Sequence, residues 1–526
     1  MSRPSRRDIS FPEGRTRNSV DSMERRPAMS PTSPLGFVIA LLIGVSTAIA
    51  QPAETGKAPE RREAAAEGGI LKLLPADAIT QHSIATPQGK IDYTATAGTL
   101  PFYDQSGSQS AAVFYTAYVA KNGGPNRPLT FAFNGGPGAA SAYLHMGVVG
   151  PRILELGPDG HDAARAELRD NPATWLAFTD LVLIDPVGTG WSRAAKSDNA
   201  KNFWSVRSDA DAMAKAIALY VARNNRGASP KYLLGESYGG FRAVKTARAL
   251  LREQGLAVSG LILVSPLLEG WLTFGDDTSA LRAALQMPSL AAAELERKKA
   301  FTPQAQAEAE KFAMTDYLVT LAGKRPEGDA ANAFYARVAA MTGVPDGTIA
   351  ASRGFINDFV KTIRAGKIVS RYDADYAVDD PNPERRAARG PDPILDGVSR
   401  AYGGGFADYA RNELGFKTEM TYTLLANDIA GNWDWGHGGR FAATSDDDIR
   451  TLLAFSPSFR LMVAHGYADM VTPYGMSRYV LDHLPPIGPA GRVQFKLYRG
   501  GHMFYIAADQ RKAFSDDAAA FYRTAE

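Results

Sequence analysis

The pentapeptide Gly235-Glu236-Ser237-Tyr238-Gly239 sets a serine where its hydroxyl has room to react. A short apolar run, Tyr232 to Leu234, precedes it, and apolar residues at helical spacing follow from Phe241 to Glu253. In that setting G-x-S-x-G is a strand-to-helix elbow: the turn is so tight that the flanking side chains must be tiny, and the serine Oγ stands exposed. A hydroxyl attacks a carbonyl when a base takes its proton, and the base needs a carboxylate to fix its tautomer. His502, in Arg499-Gly500-Gly501-His502-Met503, follows the run Val493 to Leu497 on a glycine-rich loop and is the expected base. Asp469, on the loop after Arg460 to Ala464, is the expected acid, since such a fold keeps its acid at the carboxyl end of a sheet strand. His465 reads as a satisfied loop histidine and His483 as a surface one. Asp428 and Asp482, the rival acids, read as helix caps or solvated charges.

Acyl transfer also builds an oxyanion, which backbone N–H groups must meet. Asn134-Gly135-Gly136-Pro137-Gly138, after the run Leu129 to Phe133, lies ahead of the elbow where oxyanion loops lie in lipases and esterases. It supplies one N–H and Tyr238 supplies the second. No H-E-x-x-H or other metal spacing occurs, so no metal or cofactor is expected.

The elements that position these residues are legible as rhythm. From Ser83 to Ala120, Thr, Tyr, Val and Phe alternate with polar residues between Gly and Pro, which predicts antiparallel strands. The runs Leu129 to Phe133, Leu181 to Ile184, Tyr232 to Leu234 and Leu261 to Val264 have no polar side, as parallel strands buried on both faces require. Asp209 to Ala222 and Phe241 to Glu253 are helical between them, which gives a doubly wound α/β sheet. Ala-rich helical stretches such as Leu290 to Ala313 then alternate with Pro- and Asp-rich loops. Strand signals return at Arg460 to Ala464 and Val493 to Leu497, and a helix near Lys512 to Tyr522 closes the chain. The expected fold is an α/β-hydrolase, with a mostly parallel central sheet and a helical cap insertion. Its core spans 70–268 and 437–526, and the cap spans 269–436.

The chain has 526 residues, 45% hydrophobic and 22% charged, enough to bury a sizeable core. With 58 Lys and Arg against 56 Asp and Glu, the net charge of +2 gives no field to recruit nucleic acid or an anionic membrane. Cysteine is absent, which excludes disulfides, thiolate metal sites and a cysteine nucleophile. Met23-Glu24-Arg25-Arg26, the apolar run Leu35 to Val45 and Ala48-Ile49-Ala50 have the parts of a secretory signal. Residues 1–50 are thus expected to be a signal with an extended leader, cut after Ala50, and 51–69 a flexible linker. The apolar run is too short to span a bilayer comfortably, so the expected location is periplasmic or extracellular, with no stable membrane span after cleavage.

With these pieces in place the sequence resembles the serine carboxypeptidase family. The similar strings are Asn134-Gly135-Gly136-Pro137-Gly138, Asn171-Pro172-Ala173-Thr174-Trp175, Asp185-Pro186-Val187-Gly188-Thr189-Gly190-Trp191-Ser192, Gly235-Glu236-Ser237-Tyr238-Gly239-Gly240 and Gly500-Gly501-His502, in family order. The resemblance implies a peptidase that releases C-terminal residues through an acyl-enzyme, with Ser237, Asp469 and His502 as triad and Gly136 and Tyr238 as oxyanion donors. Asn134, Gly135 and Glu236 would hold the terminal carboxylate of a peptide substrate. Two groups such as Glu236 and a carboxylate bind only if one carries a proton, so activity is expected to favour acidic pH. Departures mark a divergent, disulfide-free member of bacterial type: Val148 where a second glutamate is usual, Ala139 for cysteine, Ala132 for tryptophan and Phe241-Arg242 for His-Tyr. An esterase or acyltransferase uses the same acyl-enzyme and is the first alternative. An exported binding protein on the same fold is the second.

Overall fold

The computed structural model describes residues 69–157, 159–385 and 390–523. The expected leader and the linker up to residue 68 lie outside them. The first element among the described residues is a short helical turn at Ile70–Leu73.

Among the described residues fourteen strands follow in chain order. They are β1 (Ala78–Thr86), β2 (Gly89–Tyr103), β3 (Gln109–Ala120), β4 (Leu129–Phe133), β5 (Arg152–Leu156), β6 (Ala166–Asp170) and β7 (Asp180–Ile184). After these come β8 (Arg193–Ala194), β9 (Lys231–Glu236), β10 (Gly260–Val264), β11 (Lys367–Val369), β12 (Ala377–Asp379), β13 (Arg460–Gly466) and β14 (Val493–Tyr498). The main sheet has ten strands in the order β1-β2-β3-β7-β4-β9-β10-β13-β14, with β8 paired to β3. The β1–β3 meander is antiparallel, as its alternation predicts, and β7, β4, β9, β10, β13 and β14 run parallel.

Both faces of the parallel part are buried, and the pleat sorts its side chains by period two. Leu233, Leu261, Leu263, Leu461 and Val463 pack on one face with the helices Val206–Arg223 and Tyr238–Gln254. Tyr232, Leu234, Ile262, Val264 and Met462 pack on the other with Phe514, Ala518 and Tyr522 of the helix Ala508–Arg523. Removing a side chain from such a core, as in Leu233→Ala, costs about 3 kcal/mol. This is why the strands read as unbroken apolar runs.

Register brings the strand ends level. Phe133 pairs with Gly235 and Val264 with Glu236, while β13 runs beside β10 up to Val264↔Ala464. The loops that carry Asn134, Ser237, Asp469 and His502 therefore all leave the sheet at its carboxyl edge.

Between β10 and β13 lie helices and the hairpin β11–β12, with an apolar cluster that includes Met287, Leu290, Phe312, Tyr317 and Tyr335. One expectation fails here. Leu290 to Ala313 is two helices, Ala280–Arg297 and Pro303–Phe312, because Lys299 turns to φ +53°. Thr302 then caps a new start through the Ala305 N–H, with Pro303 in the first turn. Among the described residues no helix is long and apolar enough to cross a membrane.

Candidate active site

Ser237 stands between β9 and the helix Tyr238–Gln254 at φ +62° and ψ −127°, a conformation costly for any residue with a side chain. Contacts around it dictate the glycines. A Cβ on Gly235 would lie 2.0 Å from the Gly239 carbonyl oxygen, and one on Gly239 would lie 2.6 Å from that of Phe133. The Asn134 loop presses on the same turn, for a Cβ on Gly135 would meet Gly239 N at 2.5 Å and Tyr238 N at 2.6 Å. Tyr238 opens its helix, so its N–H has no partner within that helix. Gly136, at φ +99°, follows on the loop beside it.

Asp469 and His502 are buried together, with His502 Nδ1 2.8 Å from Asp469 Oδ2. The carboxylate is fully engaged. Its Oδ1 accepts from the N–H groups of Val471 at 2.8 Å and Thr472 at 3.0 Å, and its Oδ2 lies 2.9 Å from the Thr472 hydroxyl. Burial alone would raise Asp469, but the His502 charge and hydrogen bond, His465 and the Thr472 N–H outweigh it and hold the carboxyl below its ordinary range. Burial likewise pulls His502 down, yet Asp469 and then Glu236 leave it raised. With Nδ1 committed to Asp469, Nε2 is the nitrogen left to act as base.

Ser237 and His502 line one cavity of about 140 Å³. Among the described residues no hydrogen bond joins the Ser237 hydroxyl to the imidazole, and their pairing rests on the cavity that both line.

Glu236 is buried beside the serine. Its Oε2 accepts from Asn134 Nδ2 at 2.7 Å and from the Tyr505 hydroxyl at 2.7 Å. Burial pushes its carboxyl up to about 7, against the lowering influence of His502, Tyr505 and Asn134. Asn134 is itself fixed, since its Oδ1 accepts from Leu144 N at 3.1 Å and its carbonyl accepts from Arg242. Asn134, Gly135, Gly136, Glu236 and Tyr238 all line the cavity with Ser237.

Several contributors carry no motif. Tyr372, on the loop between β11 and β12, accepts the His502 N–H at its carbonyl (2.6 Å) and sets its ring edge-on to the imidazole at 5.1 Å. That loop also accepts Met470 N at Arg371 O and donates Ala374 N to Ala468 O, so it ties the acid loop to the histidine loop. Gly501 is required there, because a Cβ would lie 1.9 Å from the Tyr372 oxygen. Ser265, at φ +44°, donates its hydroxyl to His502 O at 2.9 Å and accepts the Thr472 hydroxyl at its own carbonyl. Arg242, read as a departure, is wholly buried: it pairs with Asp209 at 2.6 Å and lies over the Tyr238 ring.

The remaining motifs are braces. Asn171 Nδ2 donates to the carbonyls of Val148 and Gly150, each at 2.8 Å, and Asp185 Oδ1 accepts Ser141 N at 2.8 Å just after the loop 134–138. Val148 is buried apolar core. His465 is buried, bonded at Nε2 to Ser477 at 2.9 Å, and burial lowers it to about 3. His483 ends the helix Tyr474–Asp482 with Nδ1 2.7 Å from the Tyr479 carbonyl. Asp428 sits in the first turn of the helix Asn427–Gly431 and does not line the cavity.

Residues 88–273 match the family model described as serine carboxypeptidase. Serine carboxypeptidase-like 41 of Arabidopsis thaliana is 28% identical over 189 residues, 35% of this chain and 38% of that one. Serine carboxypeptidase-like 51 of the same plant is 30% identical over 143 residues, 26% of this chain and 28% of that one. The match thus spans well under half the length of these relatives. Among solved structures the chain is similar to Kex1(Δ)p, a prohormone-processing carboxypeptidase from Saccharomyces cerevisiae. The TM-score is 0.52 at 15% identity, over 87% of this chain and 95% of that one, a likeness of α/β-hydrolase fold. The elbow, the loop 134–138 and the buried Glu236 all lie on the segment that matches the serine carboxypeptidase family model, and the histidine loop follows it in the chain.

Proposed function

We propose that the protein is a serine-type carboxypeptidase that releases C-terminal residues from peptides through an acyl-enzyme. The observation that carries this is Glu236: a carboxyl buried next to the nucleophile, braced by two neutral donors and raised to about 7, is a receptor for a second carboxylate while it holds its own proton. A peptide whose terminal carboxylate meets Glu236, Asn134 and Gly135 presents its last peptide bond to Ser237.

Ser237 Oγ attacks that carbonyl carbon as His502 Nε2 takes the hydroxyl proton, and the oxyanion is met by the N–H groups of Gly136 and Tyr238. Collapse expels the C-terminal residue as an amine, which receives the proton from His502. Water, deprotonated by the same nitrogen, then cleaves the acyl-enzyme and restores Ser237. Asp469 stays ionised throughout and holds the ring.

In this reading residues 269–436 are the cap, since Phe274, Tyr372, Leu395 and Trp435 bring its side chains into the cavity. Export through a leader at 1–50 belongs to the same proposal, and N-terminal sequencing of exported protein tests the cut after Ala50.

The deciding assay compares peptides with free and amidated C-termini. Free acids are expected to be cleaved at least tenfold faster, a loss typical when a buried polar group goes unpaired. Equal rates reject the exopeptidase and favour an endopeptidase or esterase. Labelling by a fluorophosphonate, lost in Ser237→Ala, tests the nucleophile separately.

A further inference from the structure

We propose that a second cavity, built on the β11–β12 hairpin, binds a small organic carboxylate with an aromatic or branched apolar body, and that its occupant acts on the triad through the Tyr372 loop.

This cavity holds about 440 Å³, against about 140 Å³ around Ser237, and no residue lines both. Cavities of that size take drug-sized organic molecules. Its floor follows from the pleat: Ile368 pairs with Val378 across the hairpin, and Tyr376, two residues before Val378, lies on the same face. Val360 and Val398 add further apolar wall. Tyr376 stacks on His161 with ring centres 4.2 Å apart and planes at 14°. Such walls suit a flat or branched apolar body.

The charged groups on the wall decide the head of the ligand. Asp379 pairs with Lys367 at 2.6 Å and Asp396 with Arg400 at 2.9 Å. Asp392 is saturated: its Oδ1 accepts from the Ser370 hydroxyl and the N–H groups of Ile394 and Leu395, and its Oδ2 from Arg371 N. Among the described residues the Arg371 guanidinium has no ion pair and the Tyr376 hydroxyl has no hydrogen bond. Both line the cavity at the end of the hairpin, where Ser370 N donates to Tyr376 O at 2.9 Å. The planar guanidinium fork matches the two oxygens of a carboxylate. One uncommitted cation balances one negative charge, which favours a carboxylate over a phosphate.

The link to the triad is a run of hydrogen bonds. Asp392 holds the Ser370 hydroxyl at 2.7 Å and Arg371 N at 2.8 Å, and the same hydroxyl accepts Tyr372 N at 3.0 Å. Tyr372 O accepts His502 N at 2.6 Å, and Arg371 O accepts Met470 N at 3.0 Å. An occupant held by the Arg371 side chain therefore steadies the backbone that bonds the acid loop and, one residue on, the backbone that bonds the histidine loop.

The test uses the full-length chain with 3-phenylpropanoate as probe and 3-phenylpropanamide as its neutral twin. Calorimetry is expected to show the acid binding about tenfold more tightly than the amide. Arg371→Gln changes an exposed side chain, keeps the backbone bonds and should abolish that preference. Tyr376→Phe, which keeps the ring on His161, should lose part of it. Hydrogen exchange reads the link without recourse to turnover: with the acid bound, the amides of Met470 and His502 should exchange about fivefold more slowly, and not in Arg371→Gln. No binding, equal affinity for acid and amide, or exchange at Met470 and His502 that ignores the ligand overturns the proposal. A preference for the acid that survives Arg371→Gln places the probe in the Ser237 cavity and overturns it equally.

Discussion

Tyr505 donates its hydroxyl to Glu236 Oε2 at 2.7 Å, on the same oxygen that Asn134 reaches. Three residues after the candidate base, the chain thus returns to the residue before the nucleophile. The phenol occupies space that Gly147 leaves open, since a Cβ there would meet the Tyr505 ring at 2.7 Å. Tyr143, Tyr372 and Tyr402 lie close enough for the Glu236 charge to raise their hydroxyls, although burial is the larger cause in each. Tyr505→Phe removes a donor that favours the ionised carboxyl, so Glu236 keeps its proton to higher pH. The expected result is an upward move of the basic limb of kcat/KM by about one pH unit. A limb that stays in place would show that the phenol only packs.

The basic limb itself follows from Glu236. On the proposed reading Glu236 accepts a terminal carboxylate below about 7, where it is protonated, and above 7 two negative charges would face each other. For free-acid peptides kcat/KM should therefore fall about tenfold per pH unit on the alkaline side. On the acid side activity is lost as His502, raised by Asp469 and Glu236 against the pull of burial, takes up a proton. Each group's charge shifts the titration of the other, so the limbs of the profile belong to the pair rather than to either residue. An ester without a free carboxylate needs no proton on Glu236 and should keep the acid limb alone. A free-acid profile flat from pH 5 to 9 contradicts this assignment.

Asp469→Asn keeps the shape of the acid but offers an amide where His502 Nδ1–H needs an acceptor. A fall in kcat of about 10⁴-fold is expected, with thermal stability measured in parallel. Thr472→Val is the finer probe. It deletes the hydroxyl 2.9 Å from both Asp469 Oδ2 and Ser265 O and keeps the backbone N–H that Asp469 accepts. A drop of about tenfold in kcat with KM unchanged identifies Thr472 as a positioning residue. If KM alone rises, the hydroxyl serves binding instead.

Much of the site was legible because its parts must satisfy steric rules. A turn in which backbone meets backbone at Gly235, Gly239 and Gly135 admits no other residue, so the elbow and the loop 134–138 surface as glycine strings. Strands buried on two faces surface as runs without a polar side. Tyr372 left no such trace. It acts through its carbonyl and one ring face, and its hairpin loop takes its meaning only from packing between two loops distant in sequence. Ser265 and Thr472 are ordinary residues until the sheet register sets them beside His502. The break between the two insert helices was readable, for Thr302-Pro303 is a capping residue followed by a first-turn proline. Arg242 was visible only as a departure, because its partner Asp209 sits on the preceding helix.

That last pair gives a stability prediction that separates packing from catalysis. Arg242 is buried with its Nε 2.6 Å from Asp209 Oδ2, and a second arm donates to the Asn134 carbonyl. Burial raises Asp209, the Arg242 charge and hydrogen bond opposing it. Arg242→Met removes the cation and strands a carboxylate in an apolar layer, which costs about 3–5 kcal/mol. The double variant Arg242→Met with Asp209→Leu removes both charges and should recover most of that loss in urea unfolding. It does not restore the donor to Asn134, so the loop 134–138 stays loose and kcat is expected to remain depressed while stability returns. If kcat recovers in step with stability, Arg242 is a fold residue and its contact with Asn134 is incidental to the chemistry.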